Sequence, residues 1–372
     1  MRLADNKELK LLDSASREFA RKELAAGREE NDHYPYGPFF DRILQQAFEL
    51  DFFHIMLPES QGGVGHDLAA LCLILDNICR EDSSLGGIIF TNTASQEIML
   101  AAGGEDMLAE ITAAPETVGN FLIACPVLFN PLESPLTLTA VKKGDNFSLS
   151  GTMDYVVLAG LADQALVPAA VEGQDNMAYF LVEMNAAGLS QSGPVVSHGL
   201  HACPAEDLEL RDVPGRPVGL DQGDKDWLRQ AFYRLQLIAA AMAGGVMKGS
   251  FQEALKYCRE RSQGGRKIKD WSEIQMLLSN MAIQVQVADM LVEDACRSVT
   301  GAEDGWVDKL QATALHILSV APQVVTDGIQ ALGGVGYMKD FGQEKRFRDI
   351  GHIQAFLGYF PMKKIRYARR LI

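Results

Sequence analysis

The sequence predicts an α+β fold in three parts: helices first, then a small antiparallel sheet, then a helical bundle. Three observations carry this. Apolar residues recur at spacings of three and four through residues 1–115, the signature of amphipathic helices. Between Val118 and Gly219 the pattern shifts to short runs rich in β-branched and aromatic residues, broken by Gly, Asn and Asp. From Asp224 onward long helical patterns return. The chain divides accordingly into an N-terminal helical domain (1–115), a central β-domain (116–222) and a C-terminal four-helix bundle (223–372).

Each element has its own local reason. Phe39, Phe40, Ile43, Leu44 and Phe48 form one apolar stripe. Asp67 is placed to cap a helix running through Leu71, Ile74, Leu75 and Ile78, and that helix is apolar on most sides, so burial is expected. Thr137–Val141 and Phe147–Ser150, joined through Lys142-Lys-Gly-Asp-Asn146, read as a hairpin. Gln164–Val171, Ala178–Val182 and Leu208–Leu210 read as further strands. Their connections are short, so the sheet is expected to be antiparallel. In the last part, Leu228–Arg261, a helix opened at Ser272 by a capping box with Gln275 and running to about Ser298, Trp306–Leu332 and Met362–Leu371 read as four helices.

Composition narrows the function. The 372 residues are 47% hydrophobic and 22% charged, ordinary for a chain that buries a core, and the formal charge of −15 repels nucleic acid over most of the surface. A local basic pocket for a small anion remains open. The cysteines Cys72, Cys79, Cys125, Cys203, Cys258 and Cys296 are scattered without metal-ligand spacing and read as reduced, buried thiols. The start has no apolar signal core, and the longest apolar stretch, Leu235–Met247, falls short of the ~20 residues of a membrane span. A cytoplasmic protein without a membrane span is expected.

Four segments carry a resemblance along the whole chain. Met56-Leu-Pro-Glu-Ser-Gln-Gly-Gly-Val-Gly65 is similar to a Pro-Glu-x-x-Gly-Gly-x-Gly turn. Glu260-Arg-Ser-Gln-Gly-Gly-Arg-Lys-Ile268, with Gln275 beyond it, is similar to a Glu-Arg-x-x-Phe-Gly-x-x-Ile stretch. Gln330-Ala-Leu-Gly-Gly-Val-Gly-Tyr337 matches a Gln-x-x-Gly-Gly-x-Gly loop, and Glu344 with Arg348-Asp349 follows it. In this order they resemble the acyl-CoA dehydrogenase family, flavoproteins that take a proton from the α-carbon and a hydride from the β-carbon of an acyl-CoA thioester. The resemblance implies FAD as cofactor, an acyl-CoA as ligand and a homo-oligomer or a paralogous subunit as partner. It implies that Arg261, Gln263 and the loop with Gln330, Gly333, Gly334 and Gly336 reach the FAD of a neighbouring subunit. The glycines permit positive φ and close backbone approach, although an ordinary helix-to-helix turn uses glycine in the same way. Arg234 matches a position near the thioester and CoA; a helix-face arginine paired to a carboxylate is the plain alternative.

The pattern fails at the reacting centre. In Arg348-Asp-Ile-Gly-His-Ile-Gln-Ala-Phe-Leu-Gly-Tyr359 the family's catalytic glutamate position holds Leu357, which has no proton to exchange, so no catalytic residue is assigned. The alternative base position, before Arg234, holds Tyr233. Around the expected flavin ring, Ala124 and Val157 stand where the family has polar groups; Asn130 replaces a serine near the CoA, Gly264 a phenylalanine and Tyr359 a threonine. Asp82 or Glu97 is a candidate relocated base, with a solvated acid as the plain alternative. His352 reads as a packed or surface histidine. His198, His201 and Cys203 lie in a loop without a second ligand pair, so no metal site is expected. The preferred reading is a non-catalytic subunit that completes an active partner's FAD site. An active flavoenzyme with a relocated base and a non-enzymatic acyl-CoA-binding or structural member are the alternatives.

Overall fold

A computed structural model describes residues 7–34, 40–113, 117–144, 146–174, 177–220 and 225–372, with the Phe40 and Asp41 side chains left aside. Phe39, Asp145 and Asp224 of the expected elements lie outside these residues. The interior of the N-terminal part is built on two consecutive helices, Leu68–Glu81 and Ser83–Ala101. Asp67 caps the first as the sequence predicts, accepting the Ala70 N–H at 3.2 Å. The second is apolar around its whole circumference, and every residue from Ser83 to Met99 is buried. A helix without a polar face has to be enclosed on all sides. Several of its polar side chains are therefore tied to backbone: Asn92 accepts Ile123 N–H at 3.0 Å, Ser95 donates to Ile123 O at 3.1 Å and Gln96 to Phe53 O at 3.2 Å.

Seven strands form the central sheet. The predicted hairpin is Leu138–Lys143 paired with Asn146–Val157, and Gln164–Val171 pairs antiparallel with Met177–Glu183. The sheet is not wholly antiparallel. Thr139 and Ala140 lie parallel to Ala170 and Val171, and Ile123–Ala124 runs parallel to Gln164–Ala165. The strand Asn146–Val157 supplies the return length that a parallel pairing needs, so short individual connections did not exclude one. Leu208–Leu210 is part of a much longer strand, Ala205–Val218, which also carries the polar strand Leu189–Pro194.

The bundle is organised around the helix Asp226–Glu260, which packs against helices Leu68–Glu81, Ser83–Ala101, Ser272–Thr300, Trp306–Leu332 and Gln343–Ala355. The capping box at Ser272 does not form. Its hydroxyl donates to Glu273 Oε2 at 3.0 Å, and Gln275 donates to Lys269 O at 3.2 Å. Gln343–Ala355 packs on the long helix and on Trp306–Leu332, so the tail, Phe360–Leu371, is a fifth helix and not the fourth. Gln343–Ala355 has a charged sequence and stands on buried ion pairs. Lys345 meets Asp349 at 2.6 Å and Asp82 at 3.5 Å, all three nearly inaccessible.

The long helix touches Leu68–Glu81 through a smooth face. A Cβ on Gly245 would fall 2.3 Å from Asp76 O, and one on Gly249 2.1 Å from Arg80 O. Glycines four apart share a face and allow backbones to meet. Gly249→Ala is expected to force the two helices apart at about 1–3 kcal/mol and to lower the thermal unfolding midpoint. Gly244→Ala, whose added methyl meets only Asp76 Oδ1 at 3.7 Å, is expected to leave the midpoint unchanged or raise it. Thermal denaturation of the two variants beside the parent checks this.

Candidate cofactor crevice and closed chamber

At its C-terminal end the long helix stops at Arg261, whose backbone is extended. A two-stranded ribbon follows, Ser262–Gln263 against Arg266–Lys267, turned by Gly264 and Gly265 at φ 63 and 82. Two positive φ values in succession are what a tight primed hairpin turn needs. The Trp271 indole packs beneath, its Nε1 donating to Gln263 O at 3.4 Å, with the Arg266 guanidinium 3.7 Å above the ring. Across from the ribbon, helix Trp306–Leu332 ends and the chain turns at Gly333. Together they enclose a crevice of about 350 Å³, lined by Tyr257, Arg261, Gln263, Gly264, Trp271, Gln330 and Gly333 among others.

Arg261, Gln263 and Gln330 are exposed, and their side chains have no hydrogen-bond or ion-pair partner among the described residues. A planar guanidinium flanked by two amides suits an anionic oxygen cluster such as a phosphate. The glycines divide in role. Gly333 alone of the three adopts positive φ, at 64. Gly336 is buried, and a Cβ there would fall 2.4 Å from Ile329 O. A Cβ on Gly334 would meet nothing within 4 Å, so neither positive φ nor close packing explains that glycine.

A second region, the turn at Leu357, is packed into the core. Phe356 stacks face to face on Phe90, with centroids 4.4 Å apart and planes 6° apart, and both rings are buried. Leu357 follows at φ 61, 2% exposed. The turn is held by its backbone: Leu357 N–H donates to Val127 O at 2.6 Å, and Asn130 Nδ2 to Leu357 O at 3.1 Å. Lys363, itself buried, donates to Phe356 O and, at 3.1 Å, to Gln354 O. Ala124 and Val157 are equally inaccessible, and Val157 exchanges both backbone hydrogen bonds with Cys125 at 3.0 Å. No polar side chain at Ala124, Val157 or Leu357 faces this space, and the backbone groups of Val157 are already used. Flavin-ring atoms set against these three side chains would gain no hydrogen bond from them, at about 1–3 kcal/mol for each buried group left without a partner.

Comparison with known proteins places this architecture. Residues 6–111 match the acyl-CoA dehydrogenase N-terminal domain, and residues 226–371 match its C-terminal domain. The chain belongs to the acyl-CoA dehydrogenase family. Among its relatives, the caffeyl-CoA reductase-Etf complex subunit CarC of Acetobacterium woodii is 25% identical over 356 residues, covering 91% of this chain and 92% of CarC. The 3-(aryl)acrylate reductase of Clostridium sporogenes is 26% identical over 97% of this chain and 98% of its own. Butyryl-CoA dehydrogenase from Megasphaera elsdenii superposes with a TM-score of 0.88 over the full length of both chains at 19% identity. No helix among the described residues is long and apolar enough to cross a membrane.

Within this acyl-CoA dehydrogenase fold, the expected site residues do not all converge. Arg261, Gln263, Gln330 and Gly333 line one crevice, while Gly334 and Gly336 lie just beyond its lining. Arg234 is elsewhere, 3.2 Å from Glu97. Asp82 and Glu97 are buried, not solvated, and burial raises both carboxyls, against the pull of Lys345 on Asp82 and of Arg234 on Glu97. Tyr233 lies under the Arg370 guanidinium at 5.4 Å and lines an open cavity of about 670 Å³ with Arg229 and Arg366. His201 pairs with Asp32 at 3.2 Å, and Cys203 is buried. His352 packs edge-on to Phe356 with centroids 5.8 Å apart. Burial pushes its imidazole down to about 4. Phe90 had no signal in the sequence, because its partner Phe356 is distant along the chain. Lys363 was equally silent.

Lys363 gives the turn a pH signature. Burial first, and then the nearby Arg366, push its ammonium down to about 7, with Glu133 pulling the other way. An unfolded lysine titrates near ~10.4. Between about 7 and that range the unfolded chain therefore binds more protons than the folded one, and stability rises with pH. Lys363→Met is expected to flatten this rise. Denaturant titrations of parent and variant at several pH values across the window check it; parallel curves would remove the assignment.

Proposed function

We propose that this chain is an acyl-CoA dehydrogenase-family subunit, acting in the cytoplasm, that does not dehydrogenate by itself but completes the FAD site of an active partner subunit. The observation that supports this is the contrast between the two regions. The crevice presents Arg261, Gln263 and Gln330 without partners among the described residues, whereas Leu357, Ala124 and Val157 offer neither a carboxylate nor a side-chain donor at the positions that the resemblance assigns to the base and the flavin ring. In this reading the Arg261 guanidinium and the Gln263 and Gln330 amides hold the phosphate-bearing part of the partner's FAD, with Gly333 letting the backbone come close. FAD would supply hydride acceptance at the partner's centre. This chain's own contribution is binding and orientation.

A second reading, an active enzyme with a relocated base, has Glu97 in its favour, a buried carboxyl raised by its surroundings. Its ion pair with Arg234 at 3.2 Å occupies it in the present structure.

Absorbance spectra of the chain purified alone and after co-expression with a relative carrying an intact Tyr-Glu-Gly-Thr stretch separate the readings. Flavin is expected only in the co-expressed complex; stoichiometric flavin in the chain alone would overturn the proposal. In that complex Arg261→Ala is expected to weaken FAD retention by roughly ten- to a hundred-fold, the loss of one charged hydrogen-bonding group, as measured by flavin release on dialysis.

A further inference from the structure

A surface helix ordinarily turns its charges toward water. Helix Ser272–Thr300 does not: from Ile274 to Ala288 it carries no charged residue, in a chain that is 22% charged. Its outward face instead presents Met276, Ile283 and Met290, which are 68%, 54% and 62% exposed. They stand seven residues apart and so form one stripe, ~21 Å long at ~1.5 Å per residue. Ser279, Asn280 and Gln286, also exposed, lie between them. The acids that follow are engaged by cations: Asp289 pairs with the buried Lys248, and Asp294 with Arg297 at 3.0 Å and Lys309 at 3.1 Å. Methionine and neutral side chains without charge are the composition of the centre of a protein–protein interface, and a contiguous exposed apolar stripe marks such a contact.

The stripe reads alike from both ends about Ile283. Laid antiparallel against a second copy, Met276 meets Met290 of the partner subunit, Ile283 meets its own counterpart, and Asn280 meets Gln286 of the partner subunit, amide to amide. Contacts across a twofold axis require this self-complementarity. Charge favours the same occupant and the same place. Two copies with a formal charge of −15 each repel over most of their surfaces, and the repulsion is weakest where a long uncharged face meets its like.

We propose that two copies of this chain meet through this face, with their Ser272–Thr300 helices antiparallel on a twofold axis at Ile283. The inference goes beyond the cofactor reading and does not rest on it, because Met276, Ile283 and Met290 are not among the residues that line the crevice.

Sedimentation equilibrium of the full chain purified alone tests this. The parent is expected to form an even-numbered assembly at micromolar concentration. Ile283→Lys, which sets two ammonium groups against each other on the axis, is expected to halve its mass and to raise the dissociation constant about a hundred-fold or more. The register is read by cross-linking with glutathione disulfide as oxidant, since the six native cysteines are buried. Ile283→Cys is expected to give a disulfide-linked dimer, Met276→Cys alone none, and Met276→Cys combined with Met290→Cys a dimer again. All three positions are exposed, so the substitutions leave the core intact. A parent that is monomeric throughout the micromolar range overturns the proposal, as does one that pairs only with a paralogous chain. An assembly that keeps its full mass with Ile283→Lys places the contact elsewhere and overturns it too. So does Met276→Cys cross-linking as readily as Ile283→Cys, because the helices are then parallel.

Discussion

The helix Asp226–Glu260 is the member on which the other parts of the chain depend. It touches both long N-terminal helices and every principal helix of the bundle, and its fit against Leu68–Glu81 leaves no room for side chains at Gly245 and Gly249. Backbone-to-backbone contact of this kind fixes distance more tightly than side-chain packing does, since no rotamer can absorb an error. The ribbon that follows Arg261 and the helix Ser83–Ala101 are therefore both placed by reference to one rod.

The helix Ser83–Ala101 carries Asn92, Ser95 and Gln96 into the interior, and each is satisfied by a backbone group of Phe53 or Ile123. A buried polar group without a partner destabilises a fold, and these have partners. Leu357, Ala124 and Val157 belong to the same buried apolar cluster as Leu85, Ile88, Ile89 and Phe90 of this helix.

Much of the architecture was legible in the sequence because periodicity is a local property. Trp306–Leu332 and Gln164–Val171 appear where their patterns begin and end, and Asp67 caps its helix as its position before an apolar run implies. What escaped was governed by partners far away in the chain. Gln343–Ala355 has too many charges to show a stripe and becomes a helix on the strength of Lys345, Asp349 and Asp82. Leu189–Pro194 has no apolar alternation and is a strand only because Ala205–Val218 offers an edge. At the candidate site, the departure from the family pattern at Leu357 was visible as a single letter, and the crevice residues were visible through the resemblance of their two segments to family motifs. The stack of Phe90 on Phe356 and the Lys363 contacts were not, because a single sequence does not show which side chains meet across the fold.

Arg234 and Arg261 mark the two ends of this arrangement on one helix, ~40 Å apart at ~1.5 Å per residue. A rigid rod transmits position without transmitting chemistry. Substitutions accumulating around Arg234 leave the ribbon at Arg261 where it was, so selection can abandon one end of the molecule while still scrutinising the other. For an oligomer that shares cofactor sites between neighbours, this gives a duplicated subunit a route to asymmetry. Its pocket can drift freely, provided that the helix keeps its length and its glycines.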